Sequence, residues 1–404
     1  MKKLVAVNTI SQLIGRLLGA AATFVVTLFA ARQLGAAGYG DFVKITTYVA
    51  VFFLLADFGV NAIYLQRGDR VASWSSLVLL RTIGGALLVG IAALILQFLP
   101  GTAFAGYSPI VKTGILLYSP AILFQAWITT GNAVLQKRLR YDLSVWAIFF
   151  GSLATVGLVW LFFRYPGASA LSAATATLVG TAVTAIISFV VASRLEAPLT
   201  LRVTVDDLKK LLVPAIPLGI TLLFNLVYFR ADSFIITLTR PTAEVGVYGL
   251  AYKVFELVLV FPTFFMNAVY PLMVTGTHFR KILRSSGIFL FFMSLGSLAV
   301  IWLAAPLLTI VKNDFFLSIS ALRVLILGLP FFFISSLTMW ALIARKKQHA
   351  LAVIYGSSMV VNVVGNLVFV PIYGFMASAW LTVFGEGLVL VLSGVVLSRE
   401  LKRL

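Results

Sequence analysis

Long apolar runs, separated by short polar or basic clusters, fill the chain from end to end. About twelve of them reach the roughly 20 residues that a helix needs to cross a bilayer. The pattern predicts spans over 4–31, 40–66, 74–99, 107–135, 142–163, 168–192, 211–238, 246–274, 284–311, 319–344, 350–370 and 374–398. The fold class this implies is an all-α polytopic membrane protein, because a helix satisfies its own backbone inside hydrocarbon.

Polar residues interrupt these runs at helical spacing. At about 100° per residue, Thr221, Asn225, Tyr228 and Asp232 share one face of the seventh span, with Arg230 off it. On the eighth, Tyr252, Glu256, Thr263 and Asn267 share an arc with Lys253 at its edge. Lys253 and Glu256, three apart, are placed to pair along the helix. Pro214 and Pro217 stand near the entrance of the seventh span and Pro262 lies inside the eighth, where prolines kink helices. Ionisable groups at a helix centre cost at least about 2.5–3.5 kcal/mol each in hydrocarbon. The two readings are an ion-pair network between packed helices and a water-filled path.

Composition agrees with the pattern. Of 404 residues, 61% are hydrophobic and 11% charged, and the mean hydropathy is +1.06, outside the range of soluble domains. The absence of cysteine excludes disulfides and thiolate metal sites. His278 and His349 each adjoin basic runs, which suits solvated loops better than a metal or catalytic centre. The opening MKKLVAVNTISQLIG is similar to a signal peptide, but the run continues past Arg16 to about residue 31 with no small-residue cleavage site, so it reads as a retained span.

The loops alternate in charge. One set holds Lys2, Lys3, Arg67, Arg70, Lys137, Arg138, Arg140, Arg194, Arg202, Lys209, Lys210, Arg280, Lys281, Arg284, Arg345, Lys346, Lys347, Arg399, Lys402 and Arg403. The other holds little beyond Arg32, Arg164, Arg240 and Lys312. This asymmetry puts both termini in the cytoplasm and requires an even number of spans; the expected location is the cytoplasmic (inner) membrane. The same asymmetry accounts for the net charge of +18 through acidic lipid heads and gives no reason to expect nucleic acid.

The longest internal loop, 193–210, falls near the midpoint and suggests an N-terminal six-helix lobe over 1–192 and a C-terminal lobe over 211–404. Tyr39-Gly40 with Lys44 and Tyr248-Gly249 with Lys253 open the second helix of each half, as an internal repeat would. In the first half, Asn8, Gln12, Arg16, Gly19, Thr23 and Thr27 form a stripe within about 100°. The second helix carries Lys44, Asp57 and Asn61. The third carries Arg81, placed either in a cavity or at the surface, and the fourth carries Lys112 and Gln125. The fifth and sixth, with GASALSAATATLVGTA, suit close helix packing. In the second half, the ninth and tenth read as apolar scaffold. Tyr355, Ser358, Asn362 and Asn366 share a face of the eleventh. Glu386 lies between Gly385 and Gly387 on the twelfth, as a cation or proton site or as a hydrogen-bond partner of a neighbouring helix. Arg16, Lys44, Arg81, Arg230 and Lys253 outnumber the intramembrane acids Asp57, Asp232, Glu256 and Glu386. A cavity with surplus positive charge prefers an anion, and phosphate is a natural guest for Arg and Lys.

The runs NTISQLIGRLLGAAATFVVTLFAARQLGAAGYGDF, LLADFGVNAIYLQR, PAIPLGITLLFNLVYFRADSFIITLTRPTAEVGVYGLAYKVFEL and NLVFVPIYGFMASAWLTVFGEG resemble bacterial polysaccharide flippases of the Wzx or PST type. These belong to the multidrug/oligosaccharidyl-lipid/polysaccharide exporter (MOP, MATE-like) superfamily. The resemblance implies a V-shaped pair of six-helix lobes. It also implies movement of an undecaprenyl-diphosphate-linked oligosaccharide, such as an O-antigen repeat unit, to the outer leaflet by alternating access. The lipid II flippases of that superfamily usually carry two extra helices that this chain lacks. The residues expected to meet substrate are Arg16, Lys44, Arg81, Arg230, Lys253, Gln12 and Asn225; those expected to couple an ion are Asp57, Asp232, Glu256 and Glu386. No metal or cofactor is expected beyond a coupling Na+ or H+. Partners would be the lipid-linked sugar, the bilayer, and a polysaccharide polymerase and glycosyltransferases. A multidrug-type exporter of organic cations would show surplus acid instead. A membrane-embedded glycan polymerase or ligase would carry a large extracytoplasmic loop, and every loop on that side is short.

The topology is testable in a chain without native cysteine. A cysteine at Ser169 should react with an impermeant thiol reagent in intact cells, and one at Ser193 only after permeabilisation. The reverse pattern would overturn the orientation.

Overall fold

The computed structural model describes residues 2–67, 74–102, 104–196, 198–199, 203–275 and 278–402; the side chains of Lys2, Lys3 and the other residues to position 7, and of Thr9, Gln66, Arg67, Thr221, Asn225, Leu226 and Thr275, lie outside the described set, as do Arg70, Arg202 and Arg403. The regular structure among the described residues is helical, with one isolated bridge between Gly101 and Gly106. In order the helices are α1 Lys2–Asp57, α2 Val60–Arg67, α3 Trp74–Phe98, α4 Pro109–Tyr118, α5 Ala121–Lys137, α6 Tyr141–Phe162, α7 Ala170–Leu195, α8 Val205–Thr239, α9 Thr242–Thr275, α10 Phe279–Ala304, α11 Leu308–Val311, α12 Phe316–Leu327, α13 Leu329–Ala344, α14 Gln348–Tyr373 and α15 Phe375–Lys402.

Ten segments among the described residues are long and apolar enough to cross a membrane, or eleven when bent α8 counts as one. The expected first two spans form the 56-residue α1, continuous but for Gly35 at φ 68 and ψ −177. A helix of that length runs about 84 Å, far more than the roughly 30 Å hydrocarbon core, so α1 supplies two crossings with the break at Gly35. No eight-residue loop separates them; one left-handed residue does, a conformation glycine adopts without strain. Other expected spans are interrupted too. The second ends at Phe58 and Gly59, at φ 44 and φ 73. The fourth breaks between α4 and α5 at Ser119–Pro120, and the tenth between α12 and α13 at Gly328.

The chain forms two compact units, Met1–Leu34 with Asp41–Leu226 and Gly35–Gly40 with Val227–Leu404. The division falls inside α8 at 226/227, whereas the stretch expected as a linker, 193–210, lies wholly in the first unit.

In the first unit α5, α6 and α4 pack on α7, and α3 on α5. A buried cluster of Val60, Ile63, Tyr64, Leu77, Ala133, Leu211 and Ala215 ties α2 to α3, α5 and the start of α8. The α6–α7 crossing is reciprocal. A Cβ on Gly151 would collide with Thr184 Oγ1 and with the Gly180 carbonyl; a Cβ on Gly180 would collide with Thr155 Oγ1 and the Gly151 carbonyl. Each threonine hydroxyl donates to the carbonyl of the glycine four residues before it, at 3.0 Å. The small residues read from the sequence thus allow two backbones to approach closely.

In the second unit α15 packs on α14, α13 and α12, and α9 on α12 and α13. Residues 35–40 join this unit by a similar device: a Cβ on Gly246 would run into the Ala36 carbonyl, and one on Gly40 into the Thr242 carbonyl. The turn before α9 is clipped by Arg240, which holds Glu244 at 2.7 Å and donates to the Pro371 carbonyl at 3.3 Å. Glu244 in turn accepts from the Phe375 amide at 3.3 Å.

The glycine crossing gives a controlled comparison. Gly151→Leu should prevent accumulation of folded protein, since overpacking costs about 1–3 kcal/mol or more. Gly157→Leu on the same helix, where nothing lies within 4 Å, should give protein of wild-type monodispersity and melting temperature.

Candidate functional site

Charge inside hydrocarbon identifies two clusters, one in each unit. In the first, α1 ends at Asp57 and leaves its last carbonyls without helical partners. Arg81 of α3, 3% exposed, fills that need. Its Nη2 donates to Asp57 Oδ1 at 2.9 Å and to Asn61 Oδ1 at 2.7 Å, and its Nη1 to Thr129 Oγ1 at 3.1 Å and to the Ala56 carbonyl. Asn61 Nδ2 closes the ring by donating to the Thr129 carbonyl at 3.1 Å. Arg81 therefore occupies neither a cavity nor the surface; it is a staple joining α1, α2, α3 and α5. Asp57, a third exposed, keeps one oxygen away from Arg81.

Arg16 is exposed and Gln12 half-buried on α1. Arg16 and Asp57 both act electrostatically on the Tyr141 hydroxyl. The Tyr141 amide donates to Asn8 Oδ1 at 2.9 Å, fixing the start of α6 against α1. The face expected to carry Asn8, Gln12 and Arg16 thus meets α6 at that helix's first residue.

Lys44, expected among the cavity cations, departs from that expectation. It is 2% exposed, and its Nζ donates to the Gly106 carbonyl at 2.8 Å. It pins the tight loop 100–107, closed by Tyr107 N to Pro100 O at 2.9 Å, and Tyr48 stacks edge-on against Tyr107 at 5.7 Å. Buried on a backbone acceptor, Lys44 presents no ammonium to a guest. The sequence repeat that pairs it with Lys253 therefore matches position, not environment.

The second unit gathers the other expected residues. Glu256 bridges two cations, accepting from Arg230 Nη2 on Oε1 and from Lys253 Nζ on Oε2, both at 3.0 Å. The side chains of Arg230, Glu256 and Lys253 are 29%, 31% and 32% exposed. Charges exposed to lipid are expensive, and ionisable groups at this depth face the protein interior or a water-filled cavity. Asp232, 4% exposed, lies deeper; it accepts the Tyr248 hydroxyl at 2.5 Å and the Ser233 amide at 2.6 Å. Glu386, 3% exposed, accepts the Tyr228 hydroxyl at 3.2 Å and the Ser335 hydroxyl. Tyr252 lies within electrostatic reach of Asp232, Glu256, Arg230 and Glu386.

The face expected on α14 continues this polar seam. Asn366 Nδ2 donates to the Asn362 carbonyl at 2.8 Å, and Ser378 of α15 donates to Asn366 Oδ1 at 2.5 Å. Sequence reasoning missed Ser335 and Thr338 on α13, read as scaffold; Thr338 shares a 2.7 Å hydrogen bond with Ser393. Their three-residue spacing within an apolar run was the available signal. Arg323 of α12, stacked over Trp302 at 5.1 Å, was missed as well. The Asn225 side chain lies outside the described residues.

A family model described as "Polysaccharide biosynthesis protein" matches residues 3–277. The chain belongs to this family. Among solved structures, the chain is similar to the lipid II flippase MurJ in an inward closed conformation, with a TM-score of 0.80 and 17% identity over 97% of this chain and 87% of that one. It is similar to an inward-facing multidrug resistance MATE family transporter of the MOP superfamily, with a TM-score of 0.72 and 15% identity over 96% and 95%. A third structure is a MOP superfamily transporter from Pyrococcus furiosus, whose description states a reversed polarity of its binding pocket; there the TM-score is 0.67 and identity 16% over 99% and 96%. At these identities the likeness establishes the shared helical fold. No curated protein sequence matches the chain.

The Arg81 staple makes a directional prediction. Arg81→Ala strands the Asp57 carboxylate and three further acceptors, and losing one partner of a buried pair costs about 3–5 kcal/mol. Its melting temperature should fall well below that of Asp57→Ala, because Arg81 retains Asn61, Thr129 and the Ala56 carbonyl when only Asp57 is removed. Equal destabilisation by the two single variants would contradict the staple.

Proposed function

We propose that this protein moves a lipid-linked oligosaccharide, carried on undecaprenyl diphosphate, between the leaflets of the cytoplasmic membrane by alternating access. It acts as a transporter, not an enzyme. The observation that carries the reading is the pair of cations Arg230 and Lys253 sharing a single carboxylate in the second unit, with all three side chains about a third exposed. That arrangement suits an anion with several oxygens on one centre. Membership of a polysaccharide biosynthesis family supports a sugar cargo, and the fold shared with a structure described as a lipid II flippase supports a lipid-linked one. A repeat unit of surface polysaccharide meets both conditions. Glycosyltransferases would supply it and a polymerase would consume it.

The reading includes drive by an H+ or Na+ gradient through Asp57, Asp232, Glu256 or Glu386, and cytoplasmic termini on the side of the basic loops. A multidrug-type exporter is the second reading, favoured by the fold shared with MATE transporters. Surplus base at Arg230 and Lys253 weighs against an organic cation as its cargo.

The test uses protein reconstituted in vesicles with a fluorescent sugar on a polyprenyl diphosphate. Wild type should move it across the bilayer, and an organic cation dye should not compete. Arg16→Lys should retain partial activity, since charge persists without the bidentate fork. Arg16→Ala should lose at least about tenfold, equivalent to about 1.4 kcal/mol, at normal expression. Asn or Gln replacement of the four carboxylates in turn should abolish gradient dependence in at least one variant. Transport of the dye without transport of the sugar lipid would favour the exporter instead.

A further inference from the structure

The bridge at Glu256 differs in kind from the other intramembrane ion pair. Arg81 is almost fully enclosed and holds four acceptors, so Asp57 is one contact among several. At Glu256 the carboxylate accepts a hydrogen bond from each cation, and all three side chains are about a third exposed. Glu256 also stands three residues from Lys253 on α9. It can therefore leave Arg230, which comes from α8, by rotating its own side chain, and no backbone has to move.

The geometry also specifies what else would fit. Arg230 and Lys253 converge on two oxygens borne by one carbon, each at 3.0 Å. A phosphate presents two oxygens on one phosphorus in a comparable fork. Nearby, Asp232 is turned into Tyr248 and its own following amide, and Glu386 into Tyr228 and Ser335. Neither of these acids occupies the space between the two cations.

We infer that Glu256 is a built-in stand-in for the substrate's phosphate: it occupies the anion site formed by Arg230 and Lys253, and a diphosphate enters by displacing it. This rests on the flippase reading and adds a role to it. Glu256 offsets the repulsion between the two cations while the site is empty, and it supplies the competitor that expels the phosphate when transport ends. A carboxylate that competes for the site weakens binding and speeds release, so it raises turnover at the expense of affinity.

The consequence is a sign that a structural ion pair would not produce. Farnesyl diphosphate, inorganic pyrophosphate and uncharged farnesol are titrated into purified full-length protein in detergent. Glu256→Gln should bind both phosphates about tenfold or more tightly than wild type, the scale of one charge-assisted contact. Farnesol binding should stay unchanged. Adding Arg230→Gln to Glu256→Gln should remove the gain. In vesicles Glu256→Gln should lower both KM and kcat for the sugar lipid. Equal or weaker phosphate binding by a monodisperse Glu256→Gln protein overturns the inference. If that variant fails to fold, Glu256→Asp keeps the charge but is too short to span both cations; it should show a smaller gain of the same sign, and no gain overturns the inference equally. The two readings fail separately. Wild type that moves the sugar lipid without any gain in the variants leaves the flippase and removes the stand-in. A gain in Glu256→Gln, beside wild-type protein that never moves the sugar lipid, does the reverse.

Discussion

A charge placed in hydrocarbon must find an opposite charge, a set of aligned dipoles or water, and the interior of this protein is arranged around that requirement. Each of the three solutions is present. Lys44 takes the carbonyl of a tightly turned loop. Arg81 takes a carboxylate, an amide, a hydroxyl and a carbonyl at once, and so fixes four helices in one place. Arg230, Lys253 and Glu256 pair among themselves but keep an open side. The first two solutions use up the charge for structure; the third leaves it reachable. This difference in enclosure, more than the count of ionisable residues, separates framework from candidate site.

The helical framework was legible because hydrocarbon imposes a length and a composition on any segment that crosses it. The α6–α7 contact was legible as well, since only small residues let two backbones touch without a hydrophobic drive between them. The breaks were harder to see. The break at Gly35 falls between the expected spans 4–31 and 40–66, but its form, one left-handed residue in place of a loop, leaves little trace beside residues that continue helically on both sides. Phe58 at positive φ has no sequence signature at all; Gly59 beside it was the only hint.

The polar residues were legible as a set but not as pairs. Periodicity along one helix places Tyr228 and Asp232 on a face, and the structure buries both. It cannot say that Tyr228 reaches Glu386, 158 positions later, because that distance is set by how α8 and α15 pack. For the same reason Lys44 resembled Lys253 in sequence while the two live in different surroundings. The local pair, Lys253 with Glu256, was recoverable because its geometry is fixed by one helix. Arg230 joins it from another helix, and nothing in the sequence announced that the three form one bridge.

The reciprocal crossing of α6 and α7 bears on how such a chain can diverge. Gly151 faces Thr184, and Gly180 faces Thr155, so each helix provides both the gap and the group that fills it. A larger residue at either glycine meets a backbone carbonyl that no side-chain change on the other helix can remove. The two glycines are therefore not free to drift one at a time, whereas lipid-facing positions such as Trp146 or Leu153, more than half exposed, accept any apolar replacement. Sequence memory in a bundle of this kind concentrates at a few backbone crossings. A chain of this fold can therefore exchange most of its lipid-facing residues while its backbone crossings hold the same helix packing.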